Sequence, residues 1–277
     1  MGAIFSFLYG LIAYAACLAA ILYLIGFSGD VLVPRAVDGG AAATLAEALC
    51  IDVLLLSLFA VQHSLMARQA FKRWWVRIVP QPVERSTYVL AASVVLALLF
   101  WQWRPIPLPI VWRIENGAAG QLLWAIFWLG WVLALISTFL INHFELFGLQ
   151  QVFARLAGRE MPASEFKTPL LYRYVRHPLY LGILLSLWSV PVMTAGHLLF
   201  SAGLSSYIVI GIWFEDRDLI AQFGERYRRY RAEVGMLMPR RSSRVRAPDP
   251  RPDQTRTPGH SAPPARPRMY DQPNSRL

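Results

Sequence analysis

The chain has 277 residues, of which 56% are hydrophobic and 16% charged, with a formal net charge of +10 and a mean hydropathy of +0.40. So few charges cannot coat a soluble globule of this size, so the composition excludes a soluble domain and points to an integral membrane protein. The positive surplus does not read as a nucleic-acid surface, because no basic segment is interleaved with aromatic residues on a folded platform.

Near-continuous apolar runs cover 4–26, 45–66, 87–103 and 119–141, each close to the roughly 20 residues that a helix needs to cross about 30 Å of hydrocarbon. The first run lacks a basic n-region and exceeds a typical signal core, so it reads as a retained helix rather than a secretory signal. A fifth block, 178–214, is too long for one crossing. It contains Pro191 and the group Thr194-Ala195-Gly196-His197, which reads as a tight turn between two helices of minimal length. The predicted fold is all-α: a polytopic membrane bundle of about six helices ending in a helical hairpin, with five crossings as the alternative. Cys17 and Cys50 fall inside apolar runs and read as small buried hydrophobes, not as a disulfide or a nucleophile.

Charge sets the expected orientation, because cytoplasmic loops collect Lys and Arg. Segment 67–86 holds five basic residues (Arg68, Lys72, Arg73, Arg77, Arg85), 142–177 holds five, and 215–239 another five. The opposite segments are poor, with Arg35 alone in 27–44 and Arg104 and Arg113 in 104–118. Both termini are therefore expected in the cytoplasm of a multi-pass protein of the bacterial inner membrane. Nine of the 27 basic residues lie in 240–277, a Pro- and Ser-rich tail with hardly an apolar residue to bury. The chain divides into a membrane domain, 1–239, and this disordered basic tail, whose expected partner is anionic lipid.

Two stretches carry chemistry. In "LYRYVRHPLYLG", Leu171 to Gly182, Pro178 suits the first turn of a helix, where its missing N–H removes a donor unpaired anyway, so His177 falls at or just before the N-cap. Tyr180 lies on the same side one turn on, Gly182 permits close backbone approach, and the helix N-terminus favours a carboxylate or phosphate. The bland alternative is an anchor of Tyr and Arg at headgroup level. In "FEDRDLIAQFGERYRRYRAEVGMLMP", Glu215, Asp216 and Asp218 gather near a helix end, where acids oppose the macrodipole and so imply a cationic partner. A hairpin returns these acids to His177 and Tyr180, and the two clusters should build one site.

This arrangement resembles the isoprenylcysteine carboxyl methyltransferase and phospholipid methyltransferase type of membrane enzyme. The shared signature stands here as Arg176-His177-Pro178-Leu179-Tyr180-Leu181-Gly182, then Glu215-Asp216, Leu219, Phe223-Gly224, Tyr227, Tyr230, Val234 and Pro239. The stretches "VQHSLMARQAFKRWW", "VPQPVERSTYVL", "LFWQWRP", "NHFELFGLQQVF" and "MTAGHLLF" resemble the nurim-related branch, above all its bacterial methanethiol S-methyltransferases. The resemblance implies S-adenosylmethionine as cofactor, a binding segment at 178–239, and methylation of methanethiol to dimethyl sulfide. The cofactor-binding candidates are Arg176, His177, Tyr180, Gly182, Glu215, Asp216 and Tyr227, which stand in the signature, and Asp218 from the acid cluster.

A thiol must lose its proton to attack, and the candidates to take or stabilise it are His63, His143, Asn142 and Glu145, which share a depth near the cytoplasmic ends of their helices. The bulky residues Trp74, Trp75, Phe139, Phe144 and Trp188 are expected to wall a small acceptor pocket. Asp52, inside an apolar helix, reads as a neutral acid hydrogen-bonded to a neighbouring helix. No metal site is read. The other acceptors in view are a different thiol, a prenylcysteine or a lipid. From other classes come a non-catalytic nurim-like protein and a haem carrier with His63 and His143 as axial ligands. Oligomeric state is left open.

Overall fold

The structure is a computed structural model that describes residues 2–161 and 166–240. Beyond Arg240 the basic tail lies outside the described residues. In chain order the elements are α1 (Gly2–Gly29), α2 (Leu45–Ala67), α3 (Gln69–Trp75), α4 (Gln81–Gln102), β1 (Ile110–Arg113), α5 (Gly117–Ile141), α6 (His143–Leu146), α7 (Leu149–Leu156), a 3-10 turn (Leu170–Arg173), α8 (Pro178–Trp188), β2 (Val192–Thr194), α9 (Ala195–Phe223) and α10 (Glu225–Glu233). Helices α1, α2, α4, α5 and α9 are long and apolar enough to cross a membrane.

The sixth helix expected from the 178–214 block is too short to be among them. Helix α8 has 11 residues, about 16 Å of rise, roughly half of a hydrocarbon core. The chain then leaves the helix at Ser189 and runs extended through Pro191 to Thr194. Those residues pair antiparallel with β1, Ile110 opposite Thr194 and Arg113 opposite Val192, so the ladder satisfies backbone groups that no longer bond within a helix. Thr194, expected inside a turn, is instead the N-cap of α9, its hydroxyl accepting the His197 amide at 3.0 Å.

Close packing of α5 on α8 sets the position of the site. A Cβ on Gly182 would lie 2.4 Å from Gly130 O and 2.7 Å from Ala134 N, and one on Gly130 would meet Gly182 O at 2.5 Å. Small residues on both faces let the backbones touch, as membrane helices do when lipid removes the hydrophobic drive between them. The Ser186 hydroxyl, which donates to Phe127 O at 2.8 Å, ties the same seam. A core of Phe27, Leu55, Phe59, Phe100, Trp103, Phe200 and Leu204 joins α1, α2, α4 and α9.

Both ends of the bundle are tied. At one, Trp103 donates to Val37 O at 3.0 Å and the Thr194 hydroxyl donates to Asp38. At the other, Arg85 donates to Leu146 O at 2.7 Å, Tyr9 to Thr87 at 3.0 Å, and Arg176 N to Gly235 O at 2.9 Å. The start of α1 and the segment after α10 thus share a side with the start of α4 and of α8. Asp52 is fully buried and accepts from Arg104 N, just past α4, at 2.9 Å. Cys17 and Cys50 are free thiols; Cys17 is half-buried, while Cys50 is exposed on the bundle surface rather than buried, an apolar side chain turned outward as a lipid-facing helix allows.

Candidate functional site

The site forms where the start of α8 meets the last turns of α9. Pro178 occupies the first turn of α8 and His177 is its N-cap, with no side-chain capping bond. After α9, Gly224 turns the chain with φ 57 and ψ −132, a conformation that only glycine adopts cheaply. Helix α10 follows, and the strand-like segment beyond it closes on the α8 entrance. Val175 pairs with Gly235, and His177 N donates to Met236 O at 3.2 Å. The residues before Pro178 are therefore held from both sides in sequence.

Asp216 is the centre of this cluster. Its Oδ2 lies 2.9 Å from Arg176 Nη1 and 3.5 Å from Arg231 Nε. Its Oδ1 lies 3.3 Å from His177 Nε2 and accepts a hydrogen bond from the Tyr227 hydroxyl. Burial and the carboxylate push the Tyr227 phenol above its usual range, so it stays a donor. The acids were expected to need a cationic partner, and for Asp216 that partner is the protein's own Arg176.

Glu215 faces the other way. Its Oε2 lies 3.7 Å from His177 Nδ1, and its side chain reaches the Tyr180 hydroxyl. The rings of His177 and Tyr180 are 5.7 Å apart. Two buried polar atoms here have no hydrogen-bond partner among the described residues: Glu215 Oε2 and Arg176 Nε. They carry opposite charge, and both border the N-terminus of α8.

The other candidates are placed as follows. Asp218 is exposed and lies 3.9 Å from Arg68, whose guanidinium stacks 3.6 Å over Phe214. Gly182 makes its close approach to α5. Asn142 caps α6, donating to Glu145 Oε2 at 2.9 Å and to Gln150 at 2.6 Å, while Glu145 N donates to Asn142 Oδ1 at 3.3 Å. This is a reciprocal cap that satisfies both side chains. His143 is engaged at both nitrogens, with Tyr14 at 2.8 Å and Thr138 at 2.8 Å, and its ring stacks on Phe139 at 4.2 Å. Burial lowers its pKa. A shared haem would need a free nitrogen on this ring, and it offers none.

His63 differs. Its Nε2 lies 2.6 Å from the Tyr88 hydroxyl, and its Nδ1 is buried without a partner. Of the bulky residues expected around an acceptor pocket, Trp75 packs on the cluster that holds Tyr88, while Trp74, Phe139, Phe144 and Trp188 are exposed. The rings that surround His63 are Phe59, Tyr88 and Tyr207. Tyr88 and Tyr207 escaped the sequence reading because a lone tyrosine in an apolar helix looks like an interfacial anchor.

Residues 52–243 match the family model described as NnrU protein. The chain belongs to the NnrU family. It is 53% identical to a methanethiol S-methyltransferase of Mycobacterium tuberculosis over 84% of this chain and 96% of that protein. With methanethiol S-methyltransferase 1 of Bradyrhizobium diazoefficiens it shares 54% identity over 86% of this chain and 83% of that protein. Nurim of Bos taurus is 31% identical over 67% of this chain and 75% of that protein. No solved structure matches the chain. The matched region includes His63, Tyr88, Arg176, Tyr207 and Glu215, so both clusters lie within the shared part.

Proposed function

We propose that this protein transfers a methyl group from S-adenosylmethionine to methanethiol, giving dimethyl sulfide. The relatives named for that reaction cover most of the chain. The observation that carries the reading is the pair of oppositely charged atoms at the α8 entrance, Glu215 Oε2 and Arg176 Nε, that have no hydrogen-bond partner among the described residues. An amino-acid moiety carries an ammonium and a carboxylate. Glu215 would take the ammonium, while Arg176 Nε and the free N–H groups of α8 would take the carboxylate. Asp216, Tyr227 and Arg231 hold Arg176 and His177 in place for that task.

When bound, the cofactor supplies an electrophilic methyl on a sulfonium. Transfer from a cation to a thiolate destroys a charge pair, so a dry site penalises the reactants more than the transition state. The residues that keep water out are those of the α5–α8 seam and the segment Val234–Met236, which covers the entrance. The basic residues of 67–86, 142–177 and 215–239 support a cytoplasmic site in the bacterial inner membrane, with both termini inside.

The test is an assay of the purified protein in lipid nanodiscs with methyl-labelled S-adenosylmethionine and methanethiol, other thiols, prenylcysteine and phospholipid. Labelled dimethyl sulfide is the expected main product. Faster labelling of prenylcysteine or lipid would overturn the acceptor, and no cofactor binding by calorimetry would overturn the whole reading.

A further inference from the structure

The cofactor reading leaves unused a polar cluster on the seam between α2 and α9. From mid-bundle toward the α8 entrance, a Cβ on Gly203 would meet Leu56 at 2.8 Å, Tyr207 packs on Phe59 at 5.6 Å and on His63 at 5.9 Å, and Arg68 covers Phe214. The His63 ring is boxed by Phe59, Tyr88 and Tyr207, at centroid distances of 5.3, 4.9 and 5.9 Å. One nitrogen meets Tyr88 at 2.6 Å. The other, Nδ1, is buried with no partner, and an orphaned buried nitrogen calls for an explanation in what occupies the space beside it. Tyr207 and Glu215 lie eight residues apart on α9, about 12 Å along one helix, so that helix carries both this cluster and the α8 entrance.

We propose that His63 Nδ1 accepts the proton of the small thiol, and that Tyr88 and Tyr207 are positioning residues that hold the ring for it. The assignment rests on the methyl-transfer reading and adds its acceptor side. With Nε2–H donating to the Tyr88 oxygen, Nδ1 carries the lone pair. The thiol S–H bond breaks, and its proton goes to Nδ1. The sulfur lone pair so freed forms the new bond to the methyl carbon of the sulfonium, whose old C–S electron pair stays on the departing sulfur. Aromatic walls suit the acceptor's methyl and polarisable sulfur. An unactivated alkanethiol ionises no more readily than free cysteine, at about 8.5, so the base matters most for such a thiol. Of the charged and titratable groups around the ring, Arg85 and Tyr88 come from α4 and Tyr207 from α9. His143 cannot take this role without losing Tyr14 or Thr138.

The test uses full-length protein in nanodiscs and two acceptors: methanethiol, and hydrosulfide, which is smaller and largely ionised in mildly alkaline buffer. His63→Gln, which keeps a polar atom toward Tyr88, and His63→Ala should lose about 10²–10⁴-fold in methanethiol turnover. With hydrosulfide the loss should stay under about tenfold, because no proton need be removed, and the calorimetric cofactor Kd should not change. Tyr88→Phe should lower kcat for methanethiol with little change in KM, and a rising pH should restore part of the rate. Equal losses with both acceptors would make His63 a structural residue and overturn the proposal, as would full methanethiol activity in both His63 variants. Wild-type protein that binds no cofactor would sink the methyl-transfer reading as well, whereas active wild type with unimpaired variants sinks only this assignment.

Discussion

Asp216 Oδ2 lies 2.9 Å from Arg176 Nη1, with the two side chains 7% and 8% exposed. Removing one member of a buried ion pair strands the other, at a cost of about 3–5 kcal/mol. Asp216→Ala should therefore unfold at markedly lower denaturant in detergent. Asp218→Ala, whose carboxylate is 49% exposed and 3.9 Å from Arg68, should cost under about 1 kcal/mol. Equal losses in the two variants would show that Asp216 is not the structural centre of the entrance.

Glu215 Oε2 has no hydrogen-bond partner among the described residues. If that oxygen receives the ammonium of the cofactor, Glu215→Gln should weaken cofactor binding by about 1.5–3 kcal/mol, the scale of a hydrogen bond to a charged group. Calorimetry on the folded variant reads this directly, and an unchanged Kd removes Glu215 from the binding site.

Much of this was legible in the sequence. Hydropathy located the crossings, and Pro178 placed His177 at the start of α8. Three points were not legible. Half-length α8 looks in the sequence like a full crossing, because the break after it rests on the pairing of Val192–Thr194 with β1, a contact distant in sequence. The rotation of α9 about its axis decides which of Glu215, Asp216 and Asp218 turns inward; the three point in directions separated by about 100° per residue, and only packing against α2 and α8 fixes that rotation. His63, Asn142, His143 and Glu145 look equivalent as polar groups at one depth. Their differences lie in partners: Asn142 and Glu145 satisfy each other, His143 is bonded at both nitrogens, and His63 is bonded at one.

His143 is 5% exposed, and burial lowers its pKa below the ordinary value near 6.5. The unfolded chain then binds the proton more readily than the folded one, so stability rises with pH in that window. The contribution is complete above about 6.5 and is lost as acidification approaches the folded value. His143→Asn should accordingly show a flatter loss of thermal stability between neutral and mildly acid buffer than the wild type. Parallel curves for the two proteins would mean that the imidazole is charged, or equally solvated, in both states.

Gly182 tests whether its place in the signature is packing or ligand contact. A Cβ there would lie 2.4 Å from Gly130 O and 2.7 Å from Ala134 N, both backbone atoms of α5 that cannot swing aside. Gly182→Ala should therefore force α5 and α8 apart, at about 1–3 kcal/mol for an overpacked contact, and should lower thermal stability even without ligand. Because α8 carries His177 and Tyr180 at its start, the same shift should weaken cofactor binding in proportion to the loss of stability. Gly211→Ala, where an added Cβ meets nothing within 4 Å, should leave both quantities near wild type. A Gly182→Ala protein with wild-type stability and abolished cofactor binding would instead place the glycine against the ligand, and would remove helix packing as the reason for its position.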